Sequence, residues 1–219
     1  MDATFERIRK DLERLRFAGV DDTQVFGVGL HGLVLYPPLP EASLKAFEAQ
    51  YGMELPADYR AFLAELGNGG AGPFYGVFRL GEVDDLNRFR AWGRADVLVG
   101  DPGRPFPHTA AWNDLSGMPD EPEEDSELDA FEKALDQFEK HYFSTDQVDG
   151  AIPICHEGCA LRDWLVVSGP EAGHVWHDSR ADYSGLQPVS IGSKERVGFL
   201  DWYLAWLDRA MATAPNTIT

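Results

Sequence analysis

The residues whose types and spacing most suggest chemistry lie in CHEGC at 155–159 and in HVWH at 174–177. Thiolates and imidazoles are ligands that zinc accepts, so Cys155, His156 and Cys159 with one histidine of the second segment form a candidate metal set. The chain contains no second cysteine pair, so the pattern is half of a usual structural zinc site.

The two histidines of the second segment argue against this set. On a regular strand His174 and His177 project to opposite faces, and both could bind one ion only if the strand bends. Free cysteine commonly packs as a small apolar residue. We therefore expect these residues to be buried or at a sheet edge, and we predict no metal and no cofactor.

Common catalytic motifs are missing from the sequence. HExxH is absent because His156 and Glu157 are followed by Gly158 and Cys159, and GxSxG does not occur. The other histidines, His31, His108 and His141, are isolated along the chain, and the carboxylates are too numerous to single out a catalytic pair. We predict no catalytic residues, and hence a protein that is not an enzyme.

A glycine-rich stretch, GNGGAGPFYG at 67–76, raises the question of a phosphate site. Phosphate-binding loops lie between a strand and a helix, so that the helix N-terminus faces the anion. Here the glycines follow a helical pattern, whose C-terminal end carries partial negative charge, and the loop contains no Lys, Ser or Thr. The sequence therefore predicts a chain-turning element that leads into a strand.

Four segments have the apolar spacing of amphipathic helices. Ser43 is a candidate N-cap of the second, and Gly67 is well placed to end the third. The fourth carries enough aromatic area to anchor a core. The four apolar stripes run over 5–15, 44–51, 59–66 and 199–207.

Four short stretches rich in β-forming residues predict strands. They are 33–36, 75–80, 161–169 and 173–179. The last two are separated by GPEAG and read as a hairpin. Helices flanking a mostly antiparallel sheet follow, which is an α+β fold, with a mixed sheet also compatible with the pattern.

Between about 81 and 149 the sequence changes character. An acidic stretch, here called the acidic segment, precedes an amphipathic helix that carries Leu128, Phe131 and Phe138 on one side, and Ser126 with Asp129 resembles a capping box. We interpret this region as an excursion from one domain that spans 1–219. The acidic segment contains Asp120, Glu121, Glu123, Glu124, Asp125 and Glu127.

The net charge of the chain restricts the kind of partner that we expect it to bind. The chain has 19 Lys and Arg against 37 Asp and Glu, a net charge of −18. Nucleic-acid binding needs the opposite sign, whereas an acidic protein suits a basic protein partner. The N-terminus has no apolar signal-peptide core, and no apolar stretch is long enough to span a bilayer. We therefore predict no nucleic acid, no membrane and a cytoplasmic location.

Two long stretches together carry a family resemblance. The segment 31–80 contains HGLVLYPPLP, then LPADYRAFL, then GNGGAGPFYG, and the segment 152–190 with FLDWYLAWLD at 199–208 agrees in the same order. The chain resembles bacterial members of the SUKH superfamily, the Smi/Knr-type immunity and regulatory proteins. The acidic excursion is the part least similar to them.

The resemblance implies an α+β protein-binding scaffold without catalytic activity. Bacterial members typically neutralise polymorphic toxins, many of them nucleases, by direct binding, so the expected partner is a basic cognate toxin. The acidic segment is then a candidate contact region, with a solvated linker as its alternative. Two other functions stay open: a scaffold without a toxin, and a metal-dependent hydrolase that uses Cys155, His156, Cys159 and a hairpin histidine.

Overall fold

A computed structural model describes residues 2–84, 89–91 and 99–214 of the chain. The regular elements within these ranges are α1 (Asp2–Ala18), α2 (Val28–His31), α3 (Glu41–Tyr51), α4 (Ala57–Ala61), β1 (Glu82–Asp84), β2 (Phe89–Ala91), α5 (Leu128–Tyr142), β3 (Ala151–Gly158), β4 (Leu161–Val166), β5 (Val175–Asp178), β6 (Leu186–Pro188) and α6 (Phe199–Thr213). A π-helical turn, Phe62–Leu66, continues α4, and 3-10 turns cover Asp125–Glu127, Thr145–Val148 and Arg180–Asp182.

All four amphipathic patterns lie on helices, so those predictions are confirmed. The apolar stripe of α1 and the aromatic face of α6 are buried, because α1 packs against α6. Two predicted caps are wrong. Helix α3 follows Pro40, which places Ser43 inside it. Helix α5 follows Glu127 without a side-chain cap, because the Ser126 hydroxyl donates to Glu124 instead.

The main sheet has four antiparallel strands in the order β3-β4-β5-β6. The predicted hairpin is confirmed as β4 and β5, with Asp163 opposite His177 and Trp164 opposite Trp176. Strands β3 and β6 were not expected from the strand patterns. Strands β1 and β2 form a separate antiparallel pair. This α+β architecture with an antiparallel sheet is the predicted fold class.

The predictions of strands at 33–36 and 75–80 are wrong in detail. The first stretch contributes one isolated bridge, from Leu35 to Gly70, and the second contributes two, from Val77 to Gly70 and from Val77 to Cys155 on β3. Positive φ angles at Gly69 (80°) and Gly70 (104°) interrupt regular pairing. These chain segments therefore extend the edge of the sheet as isolated bridges.

Both faces of the sheet are buried, because the side chains alternate between two hydrophobic cores. Ile152, Leu165 and Val175 belong to the larger core, which also contains the apolar faces of α1, α4 and α6. Trp164, Val166 and Trp176 point to the opposite face and pack with Phe106 and Leu186 in the smaller core. Such two-sided burial explains why residues 164–166 of β4 are continuously apolar.

Residues 99–149 cover the second face of the sheet. Trp112 pairs with Leu186 through an isolated bridge and stacks on Tyr142 of α5, with ring centroids 5.3 Å apart. Phe138 and Tyr142 are buried, whereas Leu128, expected on the same apolar side of α5, is exposed. The described part of the excursion therefore packs on the sheet.

None of the described helices combines the length and the apolar character that crossing a bilayer requires.

Candidate functional site

The acidic segment lies on the surface immediately before α5. All six of its carboxylate residues are exposed, and its last residues form the 3-10 turn Asp125–Glu127. Within the described chain, none of the six carboxylates has an ion-pair partner, and the side-chain contact there is the Ser126 hydroxyl donating to Glu124 at 3.4 Å. The segment therefore presents a concentrated negative charge to solvent.

The residues of the sequence-based metal set do not come together. Cys155 is fully buried, its thiol donates to the Pro73 carbonyl at 3.1 Å, and burial raises the pKa of this thiol. His156 stacks on the Tyr75 ring with centroids 5.4 Å apart. Cys159 is exposed in the turn between β3 and β4. His174 Nδ1 lies 3.3 Å from Glu171, whereas His177 contacts Asp163. The two cysteines and His156 therefore take part in no convergent ligand set among the described residues.

A different trio does converge. The ligand atoms of Glu157, Asp163 and His177 all lie within 4.8 Å of one another. The residues come from three adjacent strands: Asp163 is directly opposite His177 in the β4-β5 pair, and Glu157 occupies a register shift near the end of β3. Such irregularities re-aim a side chain relative to the regular pleat. This trio is here called the carboxylate-histidine cluster.

The side chains of the cluster are largely shielded from solvent. The side chains of Asp163, Glu157 and His177 are 5%, 12% and 22% exposed. Nδ1 of His177 lies 3.0 Å from Asp163 Oδ1 and 3.0 Å from Glu157 Oε1. Hydrogen bonds to Asp163 and then to Glu157 raise the pKa of His177 to about 10. Burial raises the pKa of Glu157, with a smaller contribution from the Asp163 charge, although the hydrogen bond with His177 acts in the opposite direction.

Helix α6 and the strand β6 region complete the surroundings. The indole Nε1 of Trp202 donates to Asp163 Oδ2 at 2.8 Å, which fixes the orientation of that carboxylate. The cluster opens into a groove of about 340 Å³ that is also lined by Phe74, Gln187, Ser190 and Arg209. The carboxylate-histidine cluster is therefore accessible from solvent through this groove.

One exposed aromatic side chain lines the same groove, and two further aromatic residues follow from it, one as its chain neighbour and one packed on that neighbour. Phe74 lines it and is 38% exposed, with a left-handed φ of 49°. Phe26, which is 50% exposed, packs edge to face on Tyr75 with centroids 5.1 Å apart. These three residues are here called the aromatic rim. Exposed aromatic side chains are common at the centres of protein interfaces.

Sequence reasoning missed the carboxylate-histidine cluster. It considered His177 only with the cysteines, and it gave no role to Glu157 or Asp163. One signal was available: Asp163 interrupts the apolar run LRDWLVV, and a charged residue within a buried strand needs a partner. That partner, His177, lies opposite Asp163 because β4 pairs with β5. The spacing of the residues along the chain does not reveal this pairing.

Comparison with known proteins gives one match. The model of the SMI1 / KNR4 family (SUKH-1) matches residues 38–184, which is about two-thirds of the chain. The match includes the acidic excursion, and it leaves out α1, α2, β6 and α6. Searches of curated proteins and of solved structures gave no match. The matched region and the α+β fold agree, and the chain belongs to the SMI1 / KNR4 (SUKH-1) family.

Proposed function

We propose that this protein is a non-enzymatic immunity protein that neutralises a basic cognate toxin, of the nuclease type, by binding it directly. Family membership supports a protein-binding role, and the net charge of −18 favours a partner of positive charge. A nuclease needs a basic cleft for its substrate, and an acidic protein seated in that cleft blocks access to it.

The acidic segment is the observation that carries the proposal. Its six carboxylates are exposed over eight consecutive positions, and none is compensated by a cation in the described part of the chain. Elsewhere on the surface, acidic side chains are often paired, as Glu41 and Glu48 are with Arg60. An uncompensated patch sets up a local field that attracts a basic surface and accelerates encounter.

The first experiment identifies the partner from the neighbouring reading frame. We expect that frame to encode a large secreted protein with a C-terminal toxin domain. Expression of this domain alone should arrest growth, and co-expression with the present chain should restore it. A complex that co-purifies at 1:1 would establish direct binding. A neighbouring frame without a toxin, or a toxin that this chain neither binds nor neutralises, would favour a scaffold function.

The second experiment tests whether the acidic segment belongs to the toxin-binding surface. The six acids of the acidic segment are replaced by Asn or Gln, and the association rate with the toxin domain is measured across salt concentrations. We expect the rate at low salt to fall by about tenfold or more, with a flatter salt dependence, because steering by complementary charge acts mainly on association.

A matched control distinguishes the effect of where the six acids lie from the effect of the change in net charge. Six other exposed acids that have no ion-pair partner in the described chain are neutralised in the same way: Glu13, Glu54, Glu65, Asp146, Asp182 and Glu195. This variant has the same net charge, and we expect its association rate to stay within about threefold of wild type at physiological salt. Equal effects of both variants would remove the acidic segment from the interface. Phe26→Ser and Phe74→Ser would then test the aromatic rim.

A further inference from the structure

We propose that the carboxylate-histidine cluster, Glu157, Asp163 and His177, binds one divalent transition-metal ion. This site differs from the cysteine-based set considered from sequence, since it shares none of Cys155, His156 and Cys159. It does not depend on the proposed immunity function.

The spacing of the three ligand atoms fits a single ion. Nδ1 of His177 lies 3.0 Å from one oxygen of each carboxylate. With metal-ligand bonds of about 2.1 Å, a separation of this size corresponds to ligand-metal-ligand angles of about 90°. Small movements of the Glu157 side chain then adjust the geometry, because Glu157 lies at a register shift between two paired positions of β3 and β4.

A proton satisfies this arrangement less completely than a metal ion does. One N–H on Nδ1 would serve two carboxylate oxygens, Asp163 Oδ1 and Glu157 Oε1. Both oxygens lie 3.0 Å from the nitrogen, so a single proton is shared between two acceptors. A divalent ion in place of that proton contacts all three groups and balances both buried carboxylates.

The surroundings have two features of a metal centre. The Trp202 indole donates to the outer oxygen of Asp163, which orients that carboxylate and leaves its Oδ1 directed at the cluster. The groove of about 340 Å³ gives an ion a path from solvent and leaves room for water to complete its coordination.

The ligand set selects among metals. One imidazole nitrogen with two carboxylate oxygens suits Zn²⁺ or Mn²⁺, whereas Mg²⁺ and Ca²⁺ prefer all-oxygen sites. Because affinity for mixed nitrogen and oxygen ligands increases towards the end of the first-row series, Zn²⁺ is the stronger binder of the two.

The test uses the full-length, untagged protein after treatment with a chelator. Isothermal titration with ZnCl₂ should give one site per chain with micromolar or tighter affinity, and MgCl₂ at the same concentrations should give none. Zn²⁺ should also raise the midpoint of thermal unfolding, because it binds the folded chain preferentially. Glu157→Gln and His177→Gln should each weaken Zn²⁺ binding by at least tenfold.

Two controls locate the ion. His174→Gln removes a nearby histidine that pairs with Glu171, and Cys159→Ser removes the exposed thiol, so neither should change the affinity. Glu157→Gln keeps the shape of the side chain, and circular dichroism checks that each variant is folded. Absence of Zn²⁺ binding by the wild type would overturn the proposal, as would binding that survives both cluster substitutions.

Discussion

At the scale of single residues, His31 shows how burial controls protonation. The backbone N–H of Leu33 donates to His31 Nδ1 at 3.0 Å, so the neutral ring carries its proton on Nε2. That nitrogen is buried without a hydrogen-bond partner among the described residues, and the ring packs edge to face on Trp206. Burial lowers the pKa of His31 from 6.5 to about 4, although the charge of Asp22 acts in the opposite direction.

This shift predicts a pH dependence of stability. The unfolded chain binds a proton at His31 below pH 6.5 and the folded chain only near pH 4, so the stabilisation is complete above pH 6.5 and is lost as the pH falls towards 4. The loss attributable to His31 is about 2–3 kcal/mol after allowance for partial exposure. Urea unfolding at several pH values between 4 and 7 measures it.

His31→Asn isolates the effect, because its side-chain oxygen can still accept from Leu33 and does not titrate. We expect the free energy of unfolding of this variant to fall less steeply with decreasing pH than that of wild type. His141→Gln, which removes an exposed histidine, should keep the wild-type slope. Equal slopes for His31→Asn and wild type would refute the assignment.

At the scale of elements, the glycine-rich stretch after α4 is a crossing point of three chain segments. Gly70 pairs with Leu35 on one side and with Val77 on the other, through short isolated bridges. It has a positive φ of 104°, and a Cβ atom there would lie 2.3 Å from the Val34 carbonyl oxygen and 3.0 Å from the Leu35 Cα atom. Close approach of backbones therefore requires glycine at this position.

Gly70→Ala should accordingly destabilise the fold strongly. We expect a loss of about 3–5 kcal/mol, since the substitution adds a backbone clash to the strain of a positive φ. Gly173→Ala is the matched control, because Gly173 has a φ of 95° but no atom within 4 Å of an added Cβ. The control should lose about 1–2 kcal/mol. Chemical denaturation measures the free energy of unfolding of both variants. Similar losses would mean that the backbone around Gly70 moves to accommodate the added Cβ atom without further loss of stability.

Across the molecule, Arg180 connects the excursion to the sheet. Its guanidinium donates to both oxygens of Asp178 on β5, at 2.9 and 2.7 Å. It also donates to the carbonyls of Tyr142 and Ser144 at the end of α5. Both charged residues are buried, and Asp178 accepts a further bond from Trp164. One buried ion pair thus joins the sheet to the helix that covers it.

Arg180→Met leaves the Asp178 carboxylate buried without its cation, and we expect it to destabilise the protein by about 3–5 kcal/mol. Lys194→Met breaks the exposed pair with Asp201 and should change stability by less than about 1 kcal/mol. Equilibrium unfolding followed by tryptophan fluorescence measures both. If the two substitutions lowered the free energy of unfolding equally, the ion pair of Arg180 with Asp178 would contribute no more to stability than a surface ion pair.

We also expect wild-type unfolding to be a single cooperative transition, because one domain over 1–219 remains our prediction and the described excursion shares a core with the sheet. Far-ultraviolet circular dichroism and fluorescence should give coincident curves. An excursion that melts first, while the rest of the chain stays folded, would contradict this prediction.

Sequence alone determined the features that depend on local periodicity. Burial of one helix face produces a recurring apolar stripe, so α1 and α6 could be read from spacing, and the β4-β5 hairpin could be read from two β-rich runs around GPEAG. The exposure of the acidic segment follows from its composition in the same way. The helix and strand patterns together also predicted the α+β fold class, and the family resemblance implied the same class.

Which distant residues meet depends on strand pairing and packing. The stretches at 33–36 and 75–80 have strand-like composition, but glycines with positive φ reduce them to isolated bridges along the edge of the sheet. Glu157, Asp163 and His177 come together because β3, β4 and β5 lie side by side in a register that the larger core selects. Their spacing along the chain carries no trace of that register, since strand pairing is a long-range choice.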